Sequence, residues 1–276
     1  MFYNSEKFCA LAKRLDNIFK NVDEYSSIYE IEREQAETEV KLYSELKNKA
    51  ALGEKTARAY LINQYIKLLS TKFIGFDEAG INSMVNFSDI QKNHVQVIFE
   101  ILLEVYDISL VIEKYSLAVR VSEEDIRTVA SREEAAIKER FNNFTAKLKI
   151  IATIIYSKEY GQDCIDTLQH HNINEIGIID KNYIYIVHKG DKLFLEFLSF
   201  EDKSIILNIQ KKTTQNSVVG YDKHNPTLVT SKNNSSRITV AGFDATPNEE
   251  DLYYNERIFN LKKISLVEMR DSYGTI

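Results

Sequence analysis

The stretch NEIGIIDKNYIYIVHKGDKLFLEF, residues 174–197, decides the fold class of this chain. Ile176-Gly177-Ile178-Ile179, Tyr183-Ile184-Tyr185-Ile186-Val187 and Leu193-Phe194-Leu195-Glu196-Phe197 are rich in β-branched and aromatic residues, which fit a pleated surface. Lys189-Gly190-Asp191, between the last two runs, is a hairpin signal. Downstream, Ser199-Phe200-Glu201-Asp202 precedes a helix carrying Ile205, Ile206 and Ile209. Two more strands follow, Thr227 to Ser231 and Arg237 to Phe243, joined by the turn-like Lys232-Asn233-Asn234-Ser235. Strand, hairpin, helix and further strands predict an antiparallel sheet with helices on one face.

Upstream the period changes. No proline occurs before residue 158, and Phe8, Leu11, Leu15, Ile18 and Phe19 recur at helical spacing. Ser27-Ile28-Tyr29-Glu30 and Ser122-Glu123-Glu124-Asp125 have the form of capping boxes. The second precedes a helix expected to run about 30 residues, through Ile126, Val129, Phe141, Phe144, Leu148, Ile151 and Ile155. Gly53 separates two helices, Ile74 to Ser88 reads as a loop, and Val97, Ile98, Ile101, Leu102 and Val105 mark a buried helix face. The expectation is an α+β protein. A helical bundle or hairpin occupies 1–158, an α/β layer 159–262, and a linker 263–276.

With 276 residues, 44% of them hydrophobic, the chain is long enough for real cores. A net charge of −6 argues against a nucleic-acid surface as its main business, since phosphate binding needs clustered Lys and Arg, although local patches stay open. Cys9 and Cys164 lie far apart and the N-terminus has no basic and apolar leader, which points to a reducing, cytoplasmic setting. No apolar run is long enough to span a bilayer.

None of the nine glycines sits in GxxxxGK[ST] or GxGxxG, so no ATPase activity is expected of this chain alone. Cys164, His170 and His171 cluster with Asp163 and Asp166, but adjacent histidines on a helix diverge and no fourth ligand is evident. No metal site is expected there, and Glu249-Glu250-Asp251 reads as a solvated loop. No nucleophile and base can be paired.

The second half also carries a resemblance. YGQDCIDTLQHHNINEIGIIDKNYIYIVHKGDKL resembles the Tyr-Gly step, short Leu-containing helix and Asn-Glu-Ile strand that open the N-terminal domain of bacterial secretion ATPases. These are the hexameric motors of type II and type IV secretion and of tight-adherence pilus assembly. SSRITVAG is similar to the family's Asp-Gly-x-Arg-Val strand, with Asn234-Ser235 in place of Asp-Gly. ERIF is similar to Ile-Arg-Lys-Phe, and ISLVEMRDSYGTI to the segment leading into the ATP-binding core. The likeness covers about residues 155 to 276.

The resemblance implies a PAS-like domain that packs over nucleotide held by a C-terminal RecA-like core. It also implies two arginines that reach the phosphates, by position Arg237 and Arg257. A guanidinium stays protonated and donates paired hydrogen bonds to phosphate oxygens, so the chemistry suits them. Glu256, directly before Arg257, sets a carboxylate beside it in sequence.

The expected function is the nucleotide-covering, partner-docking region of a motor for secretion, conjugation or pilus assembly. ATP and Mg enter only with the core. The implied partners are that core, neighbouring subunits of a hexamer and inner-membrane platform proteins, with no nucleic acid, the chain lying peripheral to the membrane. The alternative is a stand-alone adaptor of a secretion machine with no nucleotide role. The terminal segment is expected to start a hinge helix toward the core.

Overall fold

The computed structural model describes residues 5–117, 119–246 and 251–259. The expected hinge over 263–276 lies outside them, as do Glu249 and Glu250.

The helical half opens with α1 (Ser5–Ile18), α2 (Val22–Tyr29), α3 (Arg33–Ala51), α4 (Lys55–Leu69), α5 (Glu78–Met84), α6 (Val95–Val105) and α7 (Ile108–Tyr115). A two-residue strand, β1 (Arg120–Val121), precedes α8 (Glu123–Arg132), α9 (Glu134–Arg140) and α10 (Phe144–Glu159). The second half runs β2 (Glu175–Asp180), β3 (Tyr183–His188), β4 (Asp191–Leu195), α11 (Lys203–Thr214), β5 (Thr227–Ser231), β6 (Arg237–Ala241) and β7 (Tyr253–Arg257). The chain is therefore α+β, with its helices concentrated toward the N-terminus.

In the helical half, α10 is the central element. Leu148, Ile151, Ala152 and Ile155 are fully buried, and α10 packs against both α1 and α4. The helical spacing of α1 holds, because Phe8, Leu15, Ile18 and Phe19 all enter this core, where Phe19 stacks on Tyr43 at 4.1 Å. Gly53, at φ +88°, turns α3 into α4 in a conformation that favours glycine.

Three helix expectations are corrected. The 30-residue helix is three, because the chain breaks at Glu133 and again before Asn143. Glu133 folds its carboxylate back onto the hydroxyls of Tyr106 and Tyr115 and the ammonium of Lys114. Asn143 then caps α10 by accepting from Ala146 N at 2.8 Å. The Ser122 box is present at the head of α8, whereas Ser27 to Glu30 ends a helix. Glu30 is its left-handed C-cap. The supposed loop at 74–88 contains α5, which Asp77 caps through Gly80 N at 2.8 Å.

The sheet has seven strands in the order β1-β4-β3-β2-β7-β6-β5. Its pairings are antiparallel except β1 with β4, so it is mixed where an antiparallel one was expected. β1, which the helical half supplies, was too short to leave a sequence period. The hairpin between β3 and β4 turns at Lys189 and Gly190, both at positive φ (51° and 93°).

One face of the sheet carries Ile176, Ile178, Ile184, Ile186, Ile238, Val240 and Tyr254, all buried. α11 packs beside it through Ile206 and Ile209, and Gln210 donates from Nε2 to the carbonyls of Ala241 (3.1 Å) and Tyr253 (2.8 Å). The other face presents Glu175, Tyr183, Arg237, Thr239, Asn255 and Arg257. That alternation follows from the two-residue period of a strand.

Candidate functional site

Arg237 and Arg257 are Cα partners in the antiparallel β6–β7 pair, which sets them side by side on the face opposite the isoleucine-rich one. Directly opposed residues have Cβ atoms about 5 Å apart, and like charges so placed destabilise a sheet. Glu175, the partner of Arg257 on β2, sets a counter-charge against that repulsion by accepting from Arg257 Nε at 3.2 Å. Among the described residues the Arg237 guanidinium has no hydrogen-bond or ion-pair partner.

The remaining residues of the site follow from the same register. Thr239 stands opposite Asn255, and Ala241 opposite Tyr253. Asn255 Nδ2 donates to Glu175 Oε1 at 2.7 Å and to the Tyr185 hydroxyl at 3.1 Å, and Tyr185 donates to the same Glu175 oxygen at 3.1 Å. The Tyr185 ring lies across Gly177, where an added Cβ would sit 2.1 Å from Cζ. Glycine at 177 is therefore what lets the phenol lie flat on the sheet and reach Glu175. Burial, and then a hydrogen bond with Tyr253, push the Tyr185 phenol far above its ordinary value.

Glu256 does not oppose its neighbour. The strand period turns it to the buried face, where it pairs with Lys232 at 2.7 Å, both side chains fully buried. Tyr254 OH donates to the same carboxylate oxygen at 2.7 Å, and Lys232 also donates to Gln169 Oε1 at 2.7 Å. Lys232 begins the β5–β6 turn, and Asn233 N donates to Leu52 O at 3.0 Å. The hairpin that carries Arg237 is thus tied to the α3–α4 link.

The other clustered residues are engaged elsewhere. Asp166 accepts from Arg58 Nε at 2.8 Å, Asp163 pairs with Lys158 at 3.1 Å, and His171 lies 3.4 Å from Asp107. Burial, with Arg58 adding to it, pushes His170 down to about 3, and burial drives the Cys164 thiol well above its usual range. Among the described residues no three His, Cys, Asp or Glu side chains are grouped to hold a metal ion. Nor is any described helix long and apolar enough to cross a membrane.

Of the residues that line the face, the sequence singled out the two arginines and missed Thr239, Tyr253, Asn255 and Glu175. The available signal was the alternation Tyr253-x-Asn255-x-Arg257. Its polar composition hid a strand.

No protein-family model and no curated protein matches the chain. Among solved structures, one that is similar is the crystal structure of the VirB11 ATPase from the Brucella suis type IV secretion system in complex with sulphate. The identity is 12% and the TM-score 0.32, over 40% of this chain and 34% of that one. The matched part spans about a third of that protein's length, and a likeness of this degree fixes neither fold nor activity.

Proposed function

We propose that this chain is the nucleotide-covering, partner-docking region of an ATPase of the secretion and pilus-assembly kind, with Arg237 and Arg257 as its phosphate ligands. The observation that carries the reading is their register. Two residues picked by separate motifs, twenty positions apart, lie next to each other on one sheet face. Two adjacent guanidiniums offset by one carboxylate leave a local positive charge on a chain whose net charge is −6, and that charge suits a polyphosphate.

In this reading the RecA-like core supplies the phosphate loop, Mg and the chemistry. The arginines stabilise charge that builds on the transferring phosphoryl group. ATP favours the closed arrangement of the two domains because it binds that state more tightly. The helical half docks on neighbouring subunits or on platform proteins at the membrane.

The test joins or mixes the chain with its ATP-binding core and replaces Arg237 by Ala. ATP turnover is expected to fall at least about tenfold, as for other arginines that stabilise phosphoryl transfer. Unchanged turnover and nucleotide affinity would remove the phosphate role and leave an adaptor.

A further inference from the structure

Tyr253, Asn255 and Arg257 alternate onto the same face along β7, with Thr239 and Arg237 beside the last two on β6. These five residues line one groove of about 340 Å³, a volume within the range of small-molecule sites. The chemistry grades along it. Two guanidiniums lie at one end and a phenol ring at the other, with the Thr239 hydroxyl and Asn255 amide between them. Four residue steps at about 3.3 Å each separate Tyr253 from Arg257, or about 13 Å, a span that an extended nucleoside diphosphate or triphosphate covers.

We infer that this groove takes a whole nucleoside di- or triphosphate, with the phosphates on Arg237 and Arg257, the base stacked on Tyr253, and the sugar facing Thr239 and Asn255. This rests on the arginines being phosphate ligands and adds that the chain holds nucleotide without a second domain. The groove is built for such a ligand in two respects. Both Asn255 Nδ2 hydrogen bonds go to Glu175 and Tyr185, and its carbonyl oxygen accepts none from the described residues, leaving it to accept from a sugar hydroxyl. Finally, Glu175 is the carboxylate that would repel phosphate, and it is engaged by Arg257, Asn255 and Tyr185. Every base has a π-face, so stacking on Tyr253 discriminates little among bases.

Calorimetric titration of the 276-residue chain with ADP, ATP, GTP and inorganic tripolyphosphate tests this. The nucleotides are expected to bind at one site, with ATP and GTP within about threefold of each other. Losing a base–aromatic stack costs roughly fivefold or more in affinity, so Tyr253→Leu should weaken ADP by that factor and leave tripolyphosphate unchanged. Tyr253→Phe keeps the ring and should bind ADP like the parent, which separates stacking from misfolding. If ATP and tripolyphosphate bind equally and Tyr253→Leu changes neither, the base subsite is wrong and the phosphate reading survives. If no polyphosphate binds the intact chain, autonomous binding is wrong, and the turnover of the core-joined Arg237→Ala protein decides the parent reading separately.

Discussion

Lys232 Nζ lies 2.7 Å from Glu256 Oε2 with both side chains fully buried. The pair links the turn that leads into Arg237 to the strand that ends in Arg257. The strand period turns the Glu256 side chain away from that of Arg257, and the pair neutralises it on the buried face.

Breaking that pair from one side leaves a buried uncompensated charge, which costs about 3–5 kcal/mol. Lys232→Met is expected to lower unfolding stability by that amount. Lys232→Met/Glu256→Leu should cost less than the sum of the single changes, because no charge is then stranded. Urea unfolding of the three variants checks both statements.

The flat Tyr185 ring needs Gly177. In Gly177→Ala the new Cβ would fall 2.1 Å from Tyr185 Cζ, so the ring must lift off the sheet and lose Glu175. Overpacking of this kind costs about 1–3 kcal/mol. The expected readouts are a lower melting temperature and, since Glu175 loses a donor, a changed environment at Arg257. Gly177→Ala/Tyr185→Leu should recover most of the stability.

Both halves were legible wherever one face of an element is buried. The apolar spacing of α1, the β-rich runs of β2 to β4 and the glycine turn at 53 all stand where sequence period and backbone chemistry placed them. What was missed lacks that asymmetry. β1 has two residues and takes its position from β4. β7, Tyr-Tyr-Asn-Glu-Arg, buries a carboxylate that Lys232 neutralises, a partner invisible until the chain folds. The 30-residue helix failed for the same reason, since the break at Glu133 is set by distant Tyr106, Lys114 and Tyr115. The arginine pair was named through motif resemblance, while the register that joins the two residues is a tertiary fact.

Glu100 gives the fold a pH signature. Burial raises its carboxyl to about 7, partly offset by the Thr167 hydroxyl that donates to it at 2.7 Å. A raised carboxyl means that the folded state binds more protons than the unfolded one between about pH 4.5 and 7. The contribution to stability is therefore full below the unfolded value and lost as pH rises toward 7. Glu100→Gln removes the ionisation. Its stability relative to the parent should rise from pH 5 to pH 8 in parallel denaturant titrations, and a pH-independent difference would contradict this.

At the head of α8, Ser122 accepts from Asp125 N at 3.3 Å and Asp125 accepts from Ser122 N at 2.8 Å. Ser122→Ala removes one half of this box and is expected to cost about 1 kcal/mol, read by thermal unfolding. The nucleotide groove lies elsewhere, so polyphosphate affinity should be unchanged in the variant.

The central claim is that Arg237 and Arg257 receive the same polyphosphate, and Nε–Hε NMR of labelled arginine during titration with tripolyphosphate tests it most directly. The account predicts that the two resonances, assigned through Arg237→Lys and Arg257→Lys, shift together and saturate at one common concentration. Stationary signals from both residues, or saturation at widely different concentrations, would contradict it.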